Sequence, residues 1–161
     1  VSTPLYDVLL VAHVVAAVVG FGALAVAGVA AASAGGSADP VSDEGVRRFF
    51  RAGRDWPARV IFLVPVLGLA LLLGGDSGDL HAPWPWIGLC LWTIATAVAT
   101  ALCWPAEQAA QETFAALQGA SPEATEALLR QFRLACRRME RAAGVISVCF
   151  LAAVLVMILQ P

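Results

Sequence analysis

The stretch Leu5–Ala32, LYDVLLVAHVVAAVVGFGALAVAGVAAA, decides the solvent in which this chain folds. At neutral pH its ionisable groups are Asp7, near the start, and His13, and it is longer than the ~20 residues a helix needs to cross a bilayer. Ala32, Ser33 and Ala34 would suit a signal-peptide cleavage site. No positive charge precedes the run, however, and its apolar region is too long, so the stretch reads as a transmembrane helix.

Outward from it the same pattern recurs. Residues 35–56 turn polar, with Gly35, Gly36, Ser37, Asp39 and Pro40 as breakers ahead of Arg47, Arg48, Arg51 and Arg54. A second apolar run covers 57–74, with Pro57 in its first turn and Pro65 inside, where the ring removes a helical hydrogen bond and should kink the helix. A third covers 84–105, with Trp84 and Trp86 at one end and Trp104 at the other, as in an interfacial aromatic belt. The fourth, 142–159, carries no charge. The expected fold is all-α, a single membrane domain over 1–161 built as a four-helix bundle.

Composition agrees. Of 161 residues 60% are apolar and 14% charged, with a mean hydropathy of +0.79, against about a quarter charged in ordinary soluble domains. The net charge of −2 gives no reason to expect a nucleic-acid partner. All ten basic residues are Arg: five, Arg47 to Arg59, flank the first loop, and five, Arg130 to Arg141, occupy the third. The positive-inside rule places both loops in the cytoplasm and both chain ends outside, in a bacterial inner membrane.

Between the third and fourth runs, residues 106–141 offer two helical stretches broken at Gly119, Ala120 and Ser121, with Pro122 at a first helical position. The apolar strips Ala110, Phe114, Leu117 and Leu128, Phe132, Ala135, Met139 suggest a cytoplasmic hairpin that extends spans three and four. The arginine face opposite is either solvated or bound to anionic lipid or a partner subunit. Where spans two and three approach the cytoplasm, Arg54, Asp55, Arg59 and Glu107 form a candidate interface, with Arg59 expected to pair with Glu107.

His13 is the strongest functional candidate, because an ionisable side chain inside a span is a site hypothesis by default. It lies about 12 Å below the outer edge. Ala12, Ala16 and Gly20 form a small-residue ridge that admits a neighbouring helix, and Thr93, Thr96 and Thr100 make a polar stripe at similar depth. The bland role is a neutral His bonded to a threonine hydroxyl or a backbone carbonyl. The alternatives are ligation of haem or a metal ion, or proton transfer. His81 and Met157 are remote second ligands, so a homodimer contributing two copies of His13 suits haem better. Cys90, Cys103, Cys136 and Cys149 lack metal-ligand spacing and read as packing residues. No nucleotide-binding glycine pattern, catalytic triad or H-E-x-x-H occurs, which argues against conventional enzymatic machinery.

Tyr6 to Gly22, with the L-x-x-x-H-V-x-A-A pattern around His13, resembles a bacterial family of predicted integral membrane proteins with a domain of unknown function, and is distantly similar to copper-resistance D-type membrane domains. The resemblance implies a four-helix membrane protein whose first-span histidine is part of the pattern. The reading that results is a non-catalytic membrane protein that acts as a homo-oligomer or as an accessory subunit of a larger complex. A haem- or metal-binding redox protein using His13 is the alternative, and a small transporter or channel lined by His13 and the threonine stripe is the third.

Overall fold

The computed structural model describes residues 4–50, 56–74 and 81–159, and these are helices joined by short turns. Helix α1 is one rod, Pro4–Gly36, and ends where consecutive glycines and then Pro40 interrupt it. The chain then turns on Asp39, whose carboxylate accepts from the Val41 and Ser42 amides at 3.2 and 3.3 Å and from the Ser42 hydroxyl at 2.6 Å. The Ser42 bonds hold the Asp39 carboxyl below the usual carboxylate range. Asp43 caps the next helix, α2 (Glu44–Phe49), by accepting from the Gly45 and Val46 amides.

Helix α3 (Trp56–Arg59), a 3-10 turn (Val60–Phe62) and α4 (Leu63–Gly74) follow in line, so that Pro57–Gly74 is a single span. The 3-10 turn ends three residues before Pro65, which lies in the first turn of α4. Helix α5 (Pro83–Val98) passes through a π turn (Ala99–Cys103) directly into α6 (Trp104–Leu117). Within the π turn the Trp104 amide bonds the Ala99 carbonyl five residues back. Pro105 has no amide hydrogen for the Ala101 carbonyl, and the wider winding absorbs that loss. After Gln118–Ser121 comes α7 (Pro122–Leu159), an unbroken helix of 38 residues, about 57 Å long.

Four of these helical rods, Pro4–Gly36, Pro57–Gly74, Pro83–Leu117 and Pro122–Leu159, are long and apolar enough to cross a membrane. The chain is a multi-pass membrane protein with an all-α fold. Helix α6 is the continuation of α5, and the arginine-bearing segment belongs to the same helix as the fourth span.

The described residues gather into two compact units, one of those within Val1–Ala23, Asp55–Thr96 and Ile146–Pro161, the other of those within Leu24–Arg54 and Ala97–Val145. In the first, Gly20 lies against α3–α4: a Cβ there would stand 2.7 Å from the Ile61 amide nitrogen, so no larger residue fits without moving backbone. Phe21 stacks on Phe150 with ring centroids 4.8 Å apart. In the second, Gly28 sits against the Ala143 side chain, and a Cβ on Gly35 would come 3.2 Å from that of Cys136. An aromatic group fills the rest: Phe50 meets Phe132 at 5.3 Å and Phe114 at 6.1 Å, and Phe114 meets Phe132 at 5.9 Å. Ala110, Phe114 and Leu117 of α6 share this buried cluster with Phe132, Ala135 and Met139 of α7.

Outside these contacts α1 exposes Val8, Val11, Val15, Val18, Val26 and Val29. In water such a surface would drive aggregation, whereas lipid tails are as apolar as the side chains themselves.

Candidate polar site around His13

Helix α1 carries His13 half-buried toward α4, where its Nδ1 lies 3.0 Å from the Val64 carbonyl oxygen. A carbonyl only accepts, so Nδ1 holds the proton, and the lone pair of the neutral imidazole resides on Nε2. The ring reaches this carbonyl because the next turn of α4 offers no side chain: a Cβ on Gly68 would lie 3.1 Å from His13 Cε1 and 3.5 Å from Nδ1. Gly68 therefore forms the notch that the imidazole occupies.

One turn earlier on the same element a second side chain meets backbone. Pro65 has no amide hydrogen to give the Ile61 carbonyl four residues back. The Leu63 amide is shared between the Val60 and Ile61 carbonyls, and Trp92 Nε1 of α5 donates to Ile61 at 2.9 Å. In a span, where no water substitutes for a lost partner, this indole bond completes what proline removed. Residues 61–68 thus join three helices of the unit: Gly20 and Trp92 meet Ile61, and His13 meets Val64 and Gly68.

The ridge residues divide, with Ala16 and Gly20 buried and Ala12 half-buried. The threonines do not face one way. Thr93 and Thr100 are exposed and donate to carbonyls of their own helix, Leu89 at 2.8 Å and Ala97 at 3.1 Å, whereas Thr96 is buried. His13 donates its hydrogen bond to a carbonyl of α4 rather than pairing with a threonine of α5. Arg59 closes α3 exposed, and Glu107 lies in the first turn of α6; Arg54 and Asp55 fall outside the described residues. Val64, Gly68 and the Ile61–Trp92 bond did not emerge from the sequence. The signal for the last was present, since an intraspan proline frees the carbonyl four residues before it.

As a metal centre His13 offers one donor. Among the described residues no three His, Cys, Asp or Glu side chains converge, and all four cysteines are free thiols. The nitrogen that remains is nonetheless oriented as ligating histidines are, with the other ring N–H fixed on a backbone carbonyl.

The family described as predicted integral membrane protein (DUF2269) matches residues 7–161, and the chain belongs to it. No curated protein and no solved structure matches the chain, so the distant similarity to copper-resistance domains gains no support from these comparisons.

The bond between proline and indole generates a coupling. Trp92→Phe should destabilise the protein in detergent by about 1–2 kcal/mol, because the buried Ile61 carbonyl would keep only its share of the Leu63 amide. In a Pro65→Ala background, where the residue 65 amide can take over the Ile61 carbonyl, the same substitution should cost about 1 kcal/mol less. Unfolding midpoints of the four proteins measure this, and strictly additive effects would show that Trp92 does not compensate for Pro65.

Proposed function

We propose, with membership of that family as the premise, that the chain is a non-catalytic helical subunit that works in the membrane as an assembly with a second copy of itself. The observation that carries this reading is an exposed face of the third rod, along α5 and into the π turn. Cys90, Thr93, Ala97 and Ala101 follow at steps of three, four and four residues, and all are exposed. Exposed valine and leucine are what lipid tails accept on α1, whereas small residues at this spacing let two helix backbones approach closely, which is how helices associate in hydrocarbon. The ridge of α1 is less available for this, because Ala16 and Gly20 are used inside the chain. Energy transfer between donor- and acceptor-labelled copies in liposomes tests the proposal. Thr93→Leu with Ala97→Leu should weaken association by about tenfold, equivalent to about 1.4 kcal/mol. A parent protein that stays monomeric at every protein-to-lipid ratio sinks it.

The assembly belongs to a bacterial inner membrane, with the residue 4 end of α1 and the residue 159 end of α7 outside. Arg47, Arg48 and the five arginines of α7 then lie in the cytoplasm, where α6 and the first half of α7 pack as a helical hairpin around Phe114 and Phe132. The segregation of arginine supports this orientation. In a cysteine-free background, an impermeant thiol reagent added to intact spheroplasts should label His81→Cys and spare Glu126→Cys. The reverse pattern inverts the topology.

A second reading is favoured by the fixed tautomer of His13. With Nδ1–H committed to Val64, Nε2 is the atom offered to an iron or other metal centre, one imidazole from each copy of the assembly. Such a centre would supply electron-transfer chemistry when bound, while this chain orients the imidazole and excludes water from it. Protein purified in mild detergent should then show a Soret band that His13→Ala removes. A colourless preparation without stoichiometric metal eliminates the reading.

A further inference from the structure

The basic half of α7 and its apolar half share a helix face. Arg130, Arg133, Arg137 and Arg141 recur at steps of three, four and four residues, and Arg138 stands beside them; all five are exposed. Seven residues beyond Arg141 comes Val148, and seven beyond that Leu155, both exposed on the same face. A stripe that faces lipid tails over its apolar half must face lipid headgroups where the charge begins.

The charge begins abruptly. Residues 142–159 carry none, and 18 residues at 1.5 Å give about 27 Å, close to the thickness of the hydrocarbon. Arg141, Arg138 and Arg137 then rise about 2, 6 and 8 Å past its edge, within the headgroup layer once the reach of the side chain is included. Arg133 and Arg130, about 14 and 18 Å out, stand beyond it. Arg133 is engaged elsewhere, with Nη2 3.5 Å from the Ser37 carbonyl oxygen. By contrast, Arg137, Arg138 and Arg141 have no described carboxylate within ion-pair distance, although the exposed Glu140 lies between them in sequence. Three guanidinium groups on one turn of helix, against one carboxylate, leave an excess of positive charge with planar donor forks suited to phosphate oxygens.

We propose that Arg137, Arg138 and Arg141 form a binding site for the phosphate of an anionic phospholipid, held at headgroup level by the apolar stripe of Val148 and Leu155. The site selects lipids with net negative charge over zwitterionic ones, because a zwitterionic headgroup brings its own cation to compete with the arginines. It does not depend on self-association or on His13.

The full chain in nanodiscs of equal parts phosphatidylglycerol and phosphatidylcholine provides the test, with native mass spectrometry reading the lipids retained on release. The parent protein should retain the anionic lipid over the zwitterionic one by about tenfold. Arg137→Gln, Arg138→Gln and Arg141→Gln combined should bring the ratio near parity, whereas Arg130→Gln, on the same face but beyond the headgroups, should leave it unchanged. If the triple variant fails to insert, Arg138→Gln and Arg141→Gln singly should each lower the ratio. Equal retention of both lipids by the parent overturns the proposal, as does an Arg130→Gln loss as large as that at the three inner positions. Displacement of the anionic lipid by millimolar inorganic phosphate would assign the site to a soluble anion and overturn it likewise.

Discussion

Inside hydrocarbon a backbone carbonyl that loses its helical donor has no water to fall back on, and this constraint organises the unit around Ile61. Pro65 removes the donor, the winding tightens to 3-10 over Val60–Phe62, and Trp92 supplies a new bond at 2.9 Å from another helix. Pro105 raises the same problem in the third rod and is answered differently, by a π turn that shifts the bonding pattern one residue. One proline recruits a tertiary partner, and the other is absorbed locally. The difference decides which of them ties helices together.

Close approach accounts for the rest of the packing. Lipid competes with side chains for apolar contact on equal terms, so helices adhere through van der Waals fit rather than through exclusion of water. Gly20 against Ile61, Gly28 against Ala143 and Gly35 against Cys136 are places where α1 presents no side chain to a neighbour. The cluster of Phe50, Phe114 and Phe132 follows a different logic. It joins α6 and the first half of α7, whose other faces carry the charged and polar residues of the two helices, and there aromatic rings rather than glycines fill the contact.

His13 stands where the first of these arrangements meets chemistry. Gly68 makes room for the ring, and Val64 fixes its proton on Nδ1. The same two contacts that satisfy a polar group within a membrane also aim a lone pair, so a structural histidine and a ligating one have the same first requirement here. What separates them is a partner for Nε2, and among the described residues no group of three His, Cys, Asp or Glu side chains gathers to hold a metal ion.

The order of polarity along the chain was enough to establish the solvent, the four apolar runs, the break between Gly35 and Pro40, and the collection of arginine at two places, because each of these depends on sequence-local cost: charge in hydrocarbon, or a residue that cannot continue a helix. Rotation about each helix axis was not legible. In a soluble helix polarity alternates with the 3.6-residue turn and points to the core, but α1 is apolar all round: the small side chains of Ala16 and Gly20 marked a face for close approach, and nothing in the segment said which helix would meet it. Only the packed structure decides that His13 turns to Val64 rather than to a threonine, that Thr96 faces inward while Thr93 and Thr100 face outward, and that Trp92 reaches the carbonyl Pro65 left open. Those choices rest on steric fit between particular side chains and particular gaps, and fit is a property of two surfaces that no single segment contains.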